Sequence, residues 1–328
     1  MGRRLGAGRA GCLAKLRPIV GSSQSSLILG VATALPRPFF EPFARSLSTT
    51  AYRGRFGIVL GQYSADAGRS IADLSDFVVA VDDKYDRVNS LLLGALRVTR
   101  NTRRVRRAYP ALFAAAAARR ERGSLSRWRA LEYHLEGLQA LRYNHYYDIV
   151  RRSDADYILL SDLRDVIFQR DPFDPPPCGL ELFLEESHMT IHSEYFTHRW
   201  MRALYGATEV AALGDEVASC SGTVIGPRPD MLHYLKEMSQ EIIWRRRPLG
   251  SHDQGVHNHL LRSGRFGTAV IVPNGHGRVL TMAGMPHVER ATTGQVLNYD
   301  RSVPAILHQY DRHPQLAAEL RASLGFQP

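Results

Sequence analysis

The sequence is poor in cysteine and has no long apolar run. Its three cysteines, Cys12, Cys178 and Cys220, are an odd and widely spaced set. Such a set provides neither a disulfide framework nor the ligand spacing of a zinc site. We therefore expect a reducing compartment, or one in which redox state is immaterial. The 328 residues contain no stretch of about 18 consecutive apolar side chains, which argues against an ordinary transmembrane helix.

Basic charge is concentrated in two segments rather than spread over the chain. The formal net charge is +10, yet residues 1–55 hold nine basic residues and one acid, and residues 97–129 hold eleven arginines and one acid. The remainder is mildly acidic, so the pI of about 9.8 does not indicate a nucleic-acid partner. The cluster from Arg103 to Arg107 fits a diphosphate or anionic acceptor, peripheral contact with an anionic membrane, or a solvated helix face.

Residues 1–55 are rich in arginine and serine and contain a single acid, Glu41. Their apolar run at residues 27–35 is only nine residues long, and no small-residue cleavage site follows it. This composition is typical of an organellar transit peptide, a weak secretory signal or a disordered extension. We expect residues 1–55 to form a basic extension and residues 56–328 to form the folded domain. A cytoplasmic or peripheral membrane location is favoured, with organellar or secretory targeting as the alternative.

Apolar, β-branched runs alternate with helical periodicity over the rest of the chain. Strands are predicted at residues 56–61, 77–81, 157–160, 180–184, 219–225, 269–273 and 303–307. Helices are predicted at residues 91–122, 124–150, 197–205, 229–244 and 253–261. The alternation predicts an α/β fold, a single domain with an open, mostly parallel sheet flanked by helices. Ligands bind such sheets at the carboxyl ends of the strands. Five polar residues follow predicted strands: Asp82, Asp83, Asp162, Asp165 and His308.

Asp162 and Asp165 form a carboxylate pair after the apolar run that begins at Tyr157. Two acids three residues apart in a turn can face the same small volume, and hard oxygen ligands suit Mg²⁺ or Mn²⁺. A cation held there neutralises charge on a departing phosphate, as transfer from a nucleotide-activated donor requires. Spacing alone fits equally well a helix cap followed by a surface acid that pairs with Arg164.

Residues 156–173 resemble the metal-binding segment of GT-A fold glycosyltransferases. In those families an apolar strand ends in an Asp-x-Asp motif, and an Asp-Pro-Phe turn commonly follows. This chain has Asp-x-x-Asp instead, with the Asp-Pro-Phe turn at residues 171–173. Counting back from that turn, Asp165 takes the place of the second motif acid, and Asp162 is displaced by one residue.

Three later segments resemble the same superfamily in the same order. The first, residues 220–226, is similar to the Asn-Ser-Gly strand that lines the donor-sugar pocket. Ser221 and Gly222 match that strand, and their small size lets a sugar approach the backbone closely. Cys220 replaces the usual asparagine.

The other two segments supply the remaining site residues. Residues 252–258 resemble the Asp-Gln-x-x-x-Asn helix start of glycogenin-like retaining transferases. By that resemblance Asp253 and Gln254 lie beside the transferring sugar. Residues 306–312 resemble the late strand whose histidine, here His308, completes the metal site.

The resemblance implies a single GT-A type domain that moves a sugar from a nucleotide-diphospho-sugar donor to an acceptor. It implies that Asp162, Asp165 and His308 bind Mn²⁺ or Mg²⁺, and that configuration at the anomeric carbon is retained. Asp82 and Asp83 contact the nucleotide, or they act only as turn acids. The acceptor stays open and is a carbohydrate, a lipid or a protein.

Two other functions stay open at this point. A metal-dependent nucleotidyl- or phosphotransferase shares the acidic pair but needs a Gly-rich phosphate loop after its first strand, which residues 61–64 do not provide. A non-catalytic sugar-binding relative tolerates the loss of Asp253 or His308, and both are present. The histidines between residues 188 and 198 lack the carboxylate or cysteine pattern of a zinc site.

Overall fold

The structure is a computed structural model that describes residues 25–33, 37–61, 72–80, 138–245 and 252–326. Its strands are β1 (Ser26–Thr33), β2 (Arg55–Gly61), β3 (Phe77–Ala80), β4 (Tyr157–Asp162), β5 (Val166–Phe168), β6 (Glu181–Leu184), β7 (Ser219–Pro227), β8 (Val270–Val272), β9 (Val279–Thr281) and β10 (Ile306–His308). Its α-helices are α1 (Glu41–Thr49), α2 (Leu138–Arg152), α3 (Tyr195–Tyr205), α4 (Ala207–Leu213), α5 (Arg228–Arg245), α6 (Asp253–Arg262) and α7 (Pro314–Ser323).

Seven of these strands form one sheet in the order β3-β2-β1-β4-β7-β6-β8. Neighbouring strands run parallel except around β7, which is antiparallel to both β4 and β6. The predicted α/β fold with a mostly parallel sheet is therefore confirmed. Strands β5, β10 and β9 form a second, three-stranded sheet. His308 belongs to that small sheet, which corrects the expectation that it follows a strand of the main sheet.

Alternating side chains along β1 and β4 supply two separate cores, one on each face of the main sheet. On one face Leu27, Leu29 and Leu160 pack with residues of α2, α5 and α6. On the other face Ile28 and Leu159 pack with residues of α1 and of the small sheet. Because both faces are covered, the central strands read as nearly continuous apolar runs.

Strand β1 lies inside the stretch that the sequence assigned to an N-terminal extension. It pairs in parallel with β2 on one side and with β4 on the other, and α1 packs Phe43 and Leu47 against the sheet. The expected boundary after residue 55 is therefore wrong, since folded structure is already present at Ser26. A short apolar run without alternation resembles both a targeting signal and a strand buried on both faces.

Several expectations lie outside the described residues. These are the targeting role of residues 1–24, the helix at residues 91–122, the first part of the helix at residues 124–150, the acids Asp82 and Asp83, and the cluster from Arg103 to Arg107. In the part of the chain that is described, no helix combines the length and the apolar character needed to cross a membrane.

Candidate metal and donor-sugar site

Three side chains from two sheets meet at one end of the main sheet. Asp162 is the last residue of β4, and Asp165 immediately precedes β5. Strand β10 runs antiparallel to β5 with His308 opposite Val166, so the ring of His308 reaches the turn that carries both acids. The pairing of β10 with β5 in the small sheet therefore positions His308 beside the two carboxylates.

The three predicted ligands lie close enough to share one cation. His308 Nε2 is 3.8 Å from Asp162 Oδ2 and 3.8 Å from Asp165 Oδ1. One ligand atom from each of the three residues lies within 4.8 Å of the others. The His308 side chain is 1% exposed, whereas that of Asp162 is 35% exposed, so the cluster opens to solvent on the Asp162 side. The extra residue in the Asp-x-x-Asp motif does not separate the two acids.

Gly222 forms the wall of this cluster. Strand β7 runs antiparallel to β4 with Thr223 opposite Ser161, which puts Gly222 beside Asp162. A Cβ atom at Gly222 would lie 2.5 Å from His308 Cε1 and 2.6 Å from Asp162 Oδ2. Any larger residue would fill the space between the ligands, so the glycine preserves a cradle of small volume.

The donor set suits a hard divalent cation. Two carboxylates and one imidazole match the oxygen and nitrogen ligands that Mn²⁺ and Mg²⁺ sites use. The missing side chain at Gly222 leaves space next to His308 Nε2 and Asp162 Oδ2. We conclude that Asp162, Asp165 and His308 fit the cation that the sequence resemblance implies.

The electrostatics of the cluster are strongly coupled. Burial raises the pKa of the Asp165 carboxyl, and the charge of Asp162 raises it further. Burial alone would lower the pKa of His308, but Cys220 and the two acids around its ring raise that pKa well above the ordinary value. A divalent cation takes the place of such protons, because metal ligands bind in their deprotonated form.

Arg142 connects the acid cluster to the start of α6. Its Nη1 donates a 2.6 Å hydrogen bond to Asp162 Oδ1, and its Nη2 donates one of 2.6 Å to Asp253 Oδ2. Burial would raise the pKa of the Asp162 carboxyl, but the guanidinium and the His308 ring outweigh it and lower that pKa to about 2. Tyr143 OH donates to the same Asp253 oxygen at 3.1 Å. The metal candidates and the donor-sugar candidates thus form one hydrogen-bonded unit.

The sequence did not single out Arg142, although a signal was present. Arg142 shares its helical turn with Tyr143 and Tyr146, which are buried with Val150 in the core of the main sheet. An arginine on the buried side of a helix needs an acid partner, because an unpaired buried charge is costly. That rule identifies Arg142 as a site candidate once the buried face of α2 is known.

Gln254 and Cys220 line the adjoining pocket. Gln254 Nε2 donates a 2.9 Å hydrogen bond to Thr197 Oγ1, and its Oε1 lies 3.8 Å from Cys220 Sγ. The sulfur also lies 3.7 Å from His308 Nδ1. Burial raises the pKa of the Cys220 thiol to about 11, so the group is a neutral thiol. Cys220 therefore bridges the metal candidates and Gln254 where the resemblance expects an asparagine.

Two further groups close the pocket behind Cys220. Gln309 has left-handed backbone dihedrals, φ 60 and ψ 32, and its N–H donates to the carbonyl oxygen of Asp165 at 2.7 Å. Such strain in a residue other than glycine clusters at functional sites. The Glu185 side chain is buried beside Cys220, and burial raises its pKa to about 7. Its Oε2 has no hydrogen-bond partner among the described residues.

Comparison with known proteins gives distant structural neighbours only. No protein-family model and no curated protein matches the chain. Among solved structures, the galactosyltransferase LgtC in complex with donor and acceptor sugar analogs is 12% identical, with a TM-score of 0.45 over 92% of this chain and 97% of that one. An active-site mutant of LgtC gives 13% and 0.45 over the same shares. Core-mannan synthase A from Aspergillus fumigatus, in its Mn/GDP form, gives 10% and 0.38 over 75% and 71%. These are glycosyltransferases, the class that the sequence resembles.

Ser221 is buried on β7 between Cys220 and Gly222. Among the described residues, Asp162, Asp165 and His308 are the group of three metal-binding side chains that lie together. The histidines between residues 188 and 198 are not part of such a group in the described part of the chain.

Proposed function

We propose that this chain is a divalent-metal-dependent glycosyltransferase that takes its sugar from a nucleotide-diphospho-sugar. The observation that carries the proposal is the Arg142 side chain, which joins Asp162 in the metal cluster to Asp253 at the start of α6. A site that binds a diphosphate and its sugar at once needs the metal ligands and the sugar-binding residues to lie side by side, and Arg142 holds Asp162 and Asp253 in that arrangement. A metal cluster without the adjoining carboxylate would fit many other reactions equally well.

Asp162, Asp165 and His308 are the residues that hold the cation in this proposal. When bound, Mn²⁺ or Mg²⁺ neutralises the charge that develops on the departing diphosphate. Asp162 uses Oδ1 for Arg142 and turns Oδ2 toward His308, so one carboxylate serves both the cation and the guanidinium. Asp165 turns Oδ1 toward the same ring.

Asp253 and Gln254 act on the sugar. Arg142 and Tyr143 hold the Asp253 carboxylate in one orientation, while Thr197 fixes the Gln254 amide. A preorganised carboxylate and an amide oxygen stabilise the positive charge that develops at the anomeric carbon in an oxocarbenium-like transition state. Retention of configuration is part of the proposal, and NMR of the anomeric proton in the first-formed product tests it.

A basic and an aromatic side chain lie together at the turn between the two acids, since Arg164 stands between Asp162 and Asp165 in the chain. The Arg164 side chain is 52% exposed and lies 3.4 Å from Asp311 Oδ2. Its guanidinium also lies over the ring of Phe39 at 6.0 Å from the centroid, and that ring is 44% exposed. We assign Arg164 to the donor diphosphate and Phe39 to the nucleotide base, because a guanidinium pairs with phosphate and an exposed ring stacks on a base.

Donor turnover tests the proposal directly. Nucleotide sugars of different bases and sugars are incubated with the full chain and Mn²⁺, and release of nucleoside diphosphate and free sugar is followed. Asp165→Asn should reduce metal-dependent turnover by about 100-fold or more. Asp154→Asn, whose side chain is 83% exposed, is the matched control and should turn over normally.

The products separate the rival functions. Cleavage that yields nucleoside monophosphate and sugar phosphate indicates a nucleotidyl- or phosphotransferase. Binding of donor without turnover indicates a sugar-binding relative. Full metal-dependent turnover in Asp165→Asn contradicts the proposed metal site.

A further inference from the structure

Three aromatic side chains, two of them exposed and one half-buried, form a row on helix α3. Tyr195 is 64% exposed and Phe196 is 53% exposed. Trp200 lies one helical turn beyond Phe196 and is half-buried. The ring centroids of Tyr195 and Phe196 are 5.2 Å apart, and those of Phe196 and Trp200 are 5.5 Å apart with an interplanar angle of 33°. The row continues to the ring of His252, 6.5 Å from Trp200. Large exposed aromatic groups in a contiguous patch mark an interaction surface.

The row is built onto the candidate site. Thr197 lies between Phe196 and Trp200 in sequence, but its side chain is buried and accepts the hydrogen bond from Gln254. Helices α3 and α6 meet at Gly255, where an added Cβ atom would lie 3.0 Å from Trp200 Cβ. Trp200 therefore stands directly against the turn of α6 that carries the sugar-site residues. The glycine permits this close approach of the two helices.

The position of the row determines which ligand it suits. His252 is the residue immediately before Asp253, so the rings lead up to the proposed reaction centre and end there. A sugar ring has a face of C–H groups with partial positive charge, and these groups pack against the negative face of an aromatic ring. Its hydroxyl groups lie at the edge of the ring, where polar side chains can bind them. A mixed apolar and polar surface of this kind suits a saccharide.

We propose that Tyr195, Phe196 and Trp200 form an acceptor subsite that binds a sugar ring of a carbohydrate acceptor. The inference rests on the proposed function and names the substrate class for the same site. Continuity with Gln254 indicates an acceptor rather than a membrane or partner bound away from the reaction centre. The hydrogen-bonded polar groups of Gln254 and Thr197 at the end of the aromatic row favour a sugar ring over a lipid chain or a protein side chain.

Direct binding tests the subsite without reliance on turnover. Saturation-transfer difference NMR is recorded on the full chain with Mg²⁺ and five probes: lactose, maltose, cellobiose, chitobiose and mannobiose. At least one disaccharide should receive saturation from the wild type.

Two alanine variants test the aromatic row itself. Phe196→Ala and Trp200→Ala should weaken binding of that disaccharide by about tenfold or more. Phe196→Tyr and Trp200→Phe should restore most of the binding, which a purely structural role would not produce. Ile271→Ala, at a 42% exposed position on the edge strand β8, should bind as the wild type does.

Three results overturn the subsite. One is the absence of binding to all five disaccharides, and another is equal binding by wild type and Phe196→Ala with unchanged thermal midpoints. The third is sedimentation with vesicles of phosphatidylcholine and phosphatidylserine that Phe196→Ala abolishes, which assigns the row to a lipid surface. Wild-type donor turnover, measured in parallel, decides the glycosyltransferase proposal separately. Saccharide binding that depends on the row without any donor turnover supports the subsite and contradicts the enzyme.

Discussion

Arg142 Nη2 donates a 2.6 Å hydrogen bond to Asp253 Oδ2, and this contact ties helix α2 to the first residue of helix α6. The side chains of the two residues are only 9% and 6% exposed. A charged pair removed from water to this degree costs desolvation energy that its own attraction barely offsets. Replacing one partner leaves the other buried and uncompensated. The pair therefore couples the stability of the fold to the geometry of the site.

Arg142→Met should lower the free energy of unfolding by about 3–5 kcal/mol, because it leaves the carboxylates of Asp162 and Asp253 without the guanidinium that pairs with both. It should also abolish donor turnover. Urea denaturation and the donor assay measure the two effects. Arg278→Met is the matched control, since Arg278 forms a similarly buried pair with Glu181, with side chains 9% and 12% exposed. That variant should lose stability and keep its turnover in the folded state. Turnover by folded Arg142→Met at the wild-type rate contradicts the role of the bridge.

Gly222→Ala should weaken binding of Mn²⁺ by about 10–100-fold, a loss typical of changes that displace metal ligands. The added methyl group overlaps His308 and Asp162, with nearest distances of 2.5 and 2.6 Å. Isothermal titration with Mn²⁺ measures the affinity. In Gly179→Ala the nearest atom is 3.6 Å away, so that variant should bind the ion normally. Equal affinities in both variants would place the cation elsewhere.

The strand-end positions of Asp162 and His308 were predictable because each residue follows an apolar run. Their grouping with Asp165 as metal ligands came from the family resemblance, since the spacing of the two acids alone fits a helix cap equally well. What the sequence could not show is that His308 arrives through a separate small sheet. The pairing of β10 with β5 is a long-range contact that no periodicity records.

Other parts of the architecture were beyond prediction for related reasons. A buried parallel strand such as β1 carries no alternation, so Leu27 to Ala32 read as a targeting segment until β2 and β4 were seen on either side. Arg142 lacks a motif altogether. Its role depends on which face of α2 is buried, and packing decides that.

The two cysteines of the described residues should differ sharply in reactivity. Cys178 is exposed, whereas Cys220 is buried and burial raises the pKa of its thiol to about 11. Thiolate is the reactive form, so Cys220 should react with N-ethylmaleimide at pH 7 at least about 100-fold more slowly than an ordinary thiol. Peptide mass spectrometry after timed labelling resolves the sites, and labelling in urea supplies the unfolded control. Rapid labelling of Cys220 in the folded protein would show that the pocket opens widely.

His257 should make the fold sensitive to acid. It is fully buried, with Nδ1 3.0 Å from Tyr234 OH and Nε2 2.9 Å from Ser219 Oγ. Burial lowers its pKa from 6.5 to about 3. The unfolded chain therefore binds a proton that the folded chain refuses between these two pH values. The contribution of His257 is constant above pH 6.5 and falls by about 1.4 kcal/mol per pH unit as the pH drops toward 3.

Urea unfolding of the wild type and His257→Gln between pH 7 and pH 4 measures this linkage. The variant keeps a polar group for both neighbours but has no proton to gain, so its free energy of unfolding should fall less steeply by that amount. His188→Gln, at an exposed position, should keep the wild-type slope. Parallel slopes for wild type and His257→Gln would mean that His257 is charged in the folded protein or that the strand and helix around it open before acid unfolding. Either result would remove His257 as the acid-sensitive contact between β7 and α6.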